Sequence, residues 1–107
     1  MNTFKEYQAL AAKVPLSLRN NRDRINFPAL GLQAEAGKIG SLLATAFASG
    51  KFKLTQENQA KFKDSFADIL WFLALLCDET GIEMQDVAAH SIAQLQARAK
   101  RLDPNRR

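Results

Sequence analysis

Apolar residues recur along this chain at three- and four-residue intervals, and no stretch alternates with a period of two. That pattern predicts helices and no strands. Phe4, Tyr7, Ala11 and Val14 form the first apolar line; Thr3 and Glu6 make a capping box at its head, and Pro15 stops the run. From Leu16 to Phe27 the residues are polar, arginine-rich and without a clear period, which reads as a connecting loop that could serve as a lid. Pro28 suits the first turn of a second helix, whose apolar line Leu32, Ala36, Ile39, Leu43 and Phe47 closes at Ser49-Gly50. Gly37 and Gly40 inside it point to close approach of another backbone.

Thr55 can cap a third helix running to Gly81, with Phe62, Phe66, Ile69, Leu73 and Leu76 on one line. In its second half Trp71, Phe72 and Leu75 make the opposite side apolar as well. A helix that is apolar all round must be covered all round, and three short companions can hardly do so, which predicts a second subunit against it. A fourth helix from about Gln85 carries Ala88, Ile92, Leu95, Ala99 and Leu102 as a packing seam and ends at Asp103-Pro104. The expected architecture is all-α: a four-helix bundle over residues 1–107, completed by oligomerisation, with 103–107 as a basic tail.

At 107 residues and 47% hydrophobic content the chain can build one core and not two. Its single cysteine, Cys77, lies in an apolar run, so it reads as a small buried hydrophobe in a chain suited to a reducing compartment. The longest unbroken apolar stretch, Ile69 to Cys77, is far short of a membrane span, and a cytoplasmic protein without a membrane partner is expected. The net charge of +4 comes largely from Arg19, Arg22 and Arg24 and from Arg98, Lys100, Arg101, Arg106 and Arg107. These could attract polyanions, but no aromatic or glycine-rich elements are interleaved with them as single-strand binders require. A solvated loop and tail account for them better than a nucleic-acid surface does.

Candidate chemistry lies on the two middle helices. Glu35 and Lys38 are three apart and share a face; Asp64 and Asp68 are four apart and share another, one turn before Trp71. Facing helices that aim carboxylates inward are a recurrent way to hold hard divalent cations. His90, the single histidine, lies off the apolar seam and reads as solvent-facing. Trp71 could stack on a nucleobase, although a core or subunit-interface position suits it better.

The segments Phe4-x-x-Tyr7-Gln8, Gly31-Leu32-Gln33-Ala34-Glu35-Ala36-Gly37-Lys38, Asp64-Ser65-Phe66-Ala67-Asp68-Ile69-Leu70-Trp71-Phe72-Leu73-Ala74 and Gly81-Ile82-Glu83-Met84 follow in order and spacing those of MazG-like nucleotide pyrophosphohydrolases. The resemblance covers nearly the whole chain. It implies a helical dimer or tetramer in which E-x-x-E on one helix and E-x-x-D on the next bind magnesium. The metal presents a nucleoside triphosphate for water attack between its α and β phosphates, giving a monophosphate and pyrophosphate.

Carried over residue by residue, Glu35 and Asp68 match the first and last metal ligands, while Lys38 and Ser65 stand where the other two carboxylates belong. Asp64 is the nearby carboxylate that could compensate. Of the family's positions on the last helix, Gln94 replaces a lysine, Ser91 an asparagine, and Arg98 matches an arginine. Lys38 and Arg98 are therefore the candidate substrate-binding residues, and Glu35, Asp68 and Asp64 the candidate metal ligands. An ammonium about 5 Å from a divalent ion opposes it by roughly 6 to 7 kcal/mol at an effective dielectric of ~20.

Three readings follow. The chain is a magnesium-dependent pyrophosphohydrolase with weakened activity, or a silent relative in which Lys38 pairs with Glu35 and the fold binds a nucleotide or a protein, or a nucleic-acid binder.

Overall fold

Each helix begins where a side chain can satisfy the backbone donors that a helix start leaves free. In the computed structural model, which describes residues 3–14, 20–48, 50 and 54–102, α1 spans Phe4–Lys13, α2 Asn21–Ala48, α3 Gln56–Thr80 and α4 Met84–Leu102. No strand occurs among the described residues. The Thr3 hydroxyl accepts from the Glu6 N–H at 3.1 Å, and the Thr55 hydroxyl from the Asn58 N–H at the same distance. Gly81, at φ +73°, closes α3 in a left-handed turn in which the Ile82 N–H donates to the Cys77 carbonyl at 2.9 Å.

The start of α2 departs from the sequence reading. Asn20 caps it, its Oδ1 accepting from the Asp23 N–H at 2.8 Å, so residues 21–27, expected to belong to a loop or lid, are helical. Pro28 consequently sits inside the helix rather than in its first turn, and it is almost fully buried. A proline normally costs an interior helix about 3 kcal/mol, a cost here set against the asparagine cap and the burial. Residues 15–19 lie outside the described residues, as does the basic tail at 103–107.

This early start changes what covers α3. The Phe27 ring meets Trp71 edge-on at 6.0 Å and Phe72 at 5.7 Å. Part of the apolar side assigned above to a second subunit is thus covered by a residue expected to lie in a loop. The main contact in the chain is the antiparallel hairpin of α2 and α3; α1 packs on α3, and α4 chiefly on α1. Ala11, Ala74, Cys77 and Met84 form the buried centre, flanked by Tyr7, Leu70, Trp71 and Leu73.

Gln8 ties the last two elements to the first. Its side-chain amide donates to the Ile82 carbonyl at 3.0 Å, and its carbonyl accepts from the Met84 N–H at 2.8 Å. One glutamine therefore fixes both the turn after α3 and the first residue of α4. The close backbone approach expected at Gly37 and Gly40 is not made among the described residues, since a Cβ at either would meet nothing within 4 Å; the tight contact is at Gly31, against the side-chain ring of Phe72. No helix among the described residues is long and apolar enough to cross a membrane.

Candidate functional site in the helical hairpin

The hairpin places the acidic positions in register. Gly31 lies against Phe72, while Ile39 and Leu43 line one groove with Phe62 and Phe66, so α2 runs up as α3 runs down. Counting along the antiparallel pair from Gly31 and Phe72 sets Glu35, one turn on, opposite position 68 and Lys38 opposite position 65.

Glu35 is mostly buried and Lys38 is not: their side chains are 13% and 60% exposed, and Nζ donates to Oε1 at 3.3 Å. The pair lies along α2. The other carboxylate oxygen, Oε2, is buried without a hydrogen-bond partner among the described residues. A buried acceptor left in that state costs about 1–3 kcal/mol.

Asp64 and Asp68 are exposed on α3, and Ser65 between them is 2% exposed. Among the described residues no three His, Cys, Asp or Glu side chains come together closely enough to share a metal ion. Glu35, Asp64 and Asp68 are therefore not gathered as a trio, and with one Glu35 oxygen held by an ammonium the donors as arranged do not fit a magnesium site. Arg98 is exposed on α4, whose principal neighbour is α1 rather than the hairpin, so it is not brought to Glu35 and Lys38.

Tyr7 of α1 is the neighbour the sequence did not single out. Its phenol is pushed above the ordinary tyrosine range, first by burial and then by the negative charge of Asp68. The signal was present, in that Tyr7 belongs to the first apolar line and Asp68 to the acidic pair, but their proximity follows only from the packing of α1 on α3. A raised phenol pKa favours the protonated fold, so its contribution is intact below pH about 10 and lost as pH rises through the folded value. In Asp68→Asn the phenol should titrate lower than in the parent yet still above the ordinary range, because burial remains. Ultraviolet titration follows this directly, Tyr7 being the only tyrosine.

Trp71 is half-buried, packed on Phe72 at 5.2 Å as well as on Phe27, with its indole N–H buried and without a partner among the described residues. His90 is exposed on α4. Burial raises the Cys77 thiol above its ordinary value, consistent with a packing role.

Among curated proteins the chain is similar to the Gene 37 protein of Mycobacterium phage L5, with 25% identity over 77 residues that cover 72% of this chain and 68% of the phage protein. No family model and no solved structure matches significantly.

Proposed function

We propose that this chain is a MazG-like nucleotide-binding protein whose acidic motif on α2 is held shut by its own lysine. A nucleoside triphosphate would be bound and turned over weakly or not at all. The observation that carries the reading is the Glu35–Lys38 ion pair, 3.3 Å long and half sunk in the hairpin. It neutralises the carboxylate that matches the family's first ligand. It also leaves the well-exposed end of Lys38 to receive a phosphate, an interaction worth about 1.5–3 kcal/mol as a charged hydrogen bond. On this reading the protein acts in the cytoplasm as a homodimer or homotetramer.

A second reading is favoured by Glu35 Oε2, a buried carboxylate oxygen with no partner among the described residues. It is the magnesium-dependent pyrophosphohydrolase, drawing on Glu35, Asp68 and Asp64 once Lys38 has moved aside.

Calorimetry against a panel of nucleoside triphosphates, with and without magnesium or manganese, separates the two when run beside a pyrophosphate-release assay. The binding reading expects metal-independent affinity that Lys38→Ala weakens at least about tenfold, equivalent to ~1.4 kcal/mol. Pyrophosphate release that requires the metal and disappears in Asp68→Ala would replace it with the hydrolase. Absence of binding to every nucleotide would leave a protein partner as the ligand.

A further inference from the structure

Residues 21–27, at the head of α2, are tied to the rest of the helix less firmly than a continuous helix would tie them. Asn20 caps the segment, and its residues 22–26 are exposed. Phe27 is the member whose ring reaches α3, edge-on against Trp71 and Phe72. Four backbone hydrogen bonds, from the N–H groups of residues 28–31, would join such a segment to the helix that follows, and Pro28 has no N–H for the first of them. The proline ring also disfavours the helical conformation of the residue before it, which is Phe27.

Beyond that joint α2 is firm. Pro28 is almost fully buried. Three residues on, Gly31 lies against the Phe72 ring, where an added Cβ would come within 2.5 Å of Cζ. A loosely joined arm thus adjoins a fixed pivot.

We propose that residues 21–27 form a helical lid, hinged between Phe27 and Pro28 and latched by the Phe27 ring, that opens to uncover Trp71.

The chemistry under the latch favours two states rather than one. Closed, the lid gains the edge-on contacts of Phe27 with two rings. It also lies over a donor that has nothing to bond, since the Trp71 indole N–H is buried without a partner among the described residues. Opening returns that N–H to water and so offsets part of the aromatic contact given up. The missing rung at Pro28 lowers the cost of the movement further, because less of the helix ladder has to break.

The lid borders the candidate site. Trp71 lies one turn beyond Asp68 on α3, and Phe27 two turns before Glu35 on α2. What opening presents is an aromatic face with a hydrogen-bond donor at its edge, next to the acidic positions. Service as a gate for a nucleotide rests on the function proposed above; the hinge and the latch do not.

Hydrogen exchange followed by mass spectrometry, with acrylamide quenching of Trp71 fluorescence, tests the lid on the full chain without nucleotide. Failure of nucleotide binding therefore leaves the result unaffected. Trp71 is the only tryptophan, so its quenching reports the opening directly. In the parent, the amides of residues 24–27 should exchange at least about tenfold faster than those of 32–42, as a locally opening unit does. Phe27→Ala removes the latch and should raise the quenching constant at least about twofold, with no more helical circular dichroism lost than the arm contributes. Pro28→Ala restores the rung and should act in the opposite sense, slowing exchange of the arm at least about threefold without raising the quenching. Leu30→Ala, at a position 65% exposed beyond the pivot, should change neither.

Arm amides as protected as those of 32–42 would overturn the proposal. So would Phe27→Ala quenching equal to that of the parent, or arm exchange in Pro28→Ala as fast as in the parent, which would leave ordinary fraying of a helix end in place of a hinge.

Discussion

Gly31→Ala is expected to destabilise the protein by about 1–3 kcal/mol, the usual cost of overpacking a well-filled site. For a domain near this size that lowers the melting temperature by about 4–8 °C per kcal/mol. In an open helix the same change would stabilise by roughly 0.5–1 kcal/mol, so the sign is decided by the neighbourhood. A Cβ at position 31 would lie 2.5 Å from Phe72 Cζ and within 2.8 Å of both Cε atoms. The ring cannot easily swing away, because Phe27 stands against it at 5.7 Å and Trp71 at 5.2 Å. The methyl group therefore has to push α2 off α3, and Glu35 lies one turn further along the same line of α2. Gly37→Ala is the internal comparison: with nothing within 4 Å of its added Cβ, it should raise stability. Thermal or urea unfolding of the two variants beside the parent gives opposite shifts if Gly31 sets the closeness of the hairpin. Equal stabilisation would mean that the Phe72 ring gives way.

The element order was legible in the spacing of apolar residues because α1 and α3 begin or end on strong local signals: Thr3 with Glu6, Thr55, and Gly81, after which α4 follows. The start of α2 was not, because Pro28 carries a helix-start signal of its own and masks the weaker one at Asn20. That misplacement hid the role of Phe27, whose contacts with Trp71 and Phe72 join residues more than forty positions apart. The glycines show the same limit. Gly31, Gly37 and Gly40 are alike in sequence, and only the register of the hairpin makes Gly31 the one that touches a ring. At the candidate site, the ion pair of Glu35 with Lys38 was foreseeable from their three-residue spacing. The burial of Ser65 and the influence of Asp68 on Tyr7 depend on which side of α3 faces α2 and which faces α1, and periodicity does not assign neighbours to faces.

On the proposed MazG-like reading, supplying the two carboxylates that the resemblance expects at these positions, as Lys38→Glu with Ser65→Glu, should produce a protein that is unstable alone and rescued by divalent cations. Lys38→Glu by itself removes a cation that is 60% exposed and places a second carboxylate three residues from Glu35. Because Glu35 is only 13% exposed and loses its ammonium partner, the effect lies between the ~1 kcal/mol of an exposed pair and the about 3–5 kcal/mol of a broken buried one. Ser65→Glu is different in kind. Position 65 is 2% exposed, on the side of α3 that faces α2, so its carboxylate cannot reach water without moving a helix. An unpaired buried charge costs about 3–5 kcal/mol, a large part of the 5–15 kcal/mol that holds a domain together. In the double variant that charge shares the hairpin with Glu35 and Glu at 38, and their mutual repulsion adds to the loss. A divalent cation binding the folded form alone would reverse it, returning about 2.7 kcal/mol at a concentration one hundred times its dissociation constant. The expected result is a melting temperature well below that of the parent without metal, rising steeply with magnesium or manganese, beside a parent whose melting barely responds. If neither melting nor calorimetry of the double variant depends on the cation, carboxylates at these two positions do not make a metal site of the hairpin.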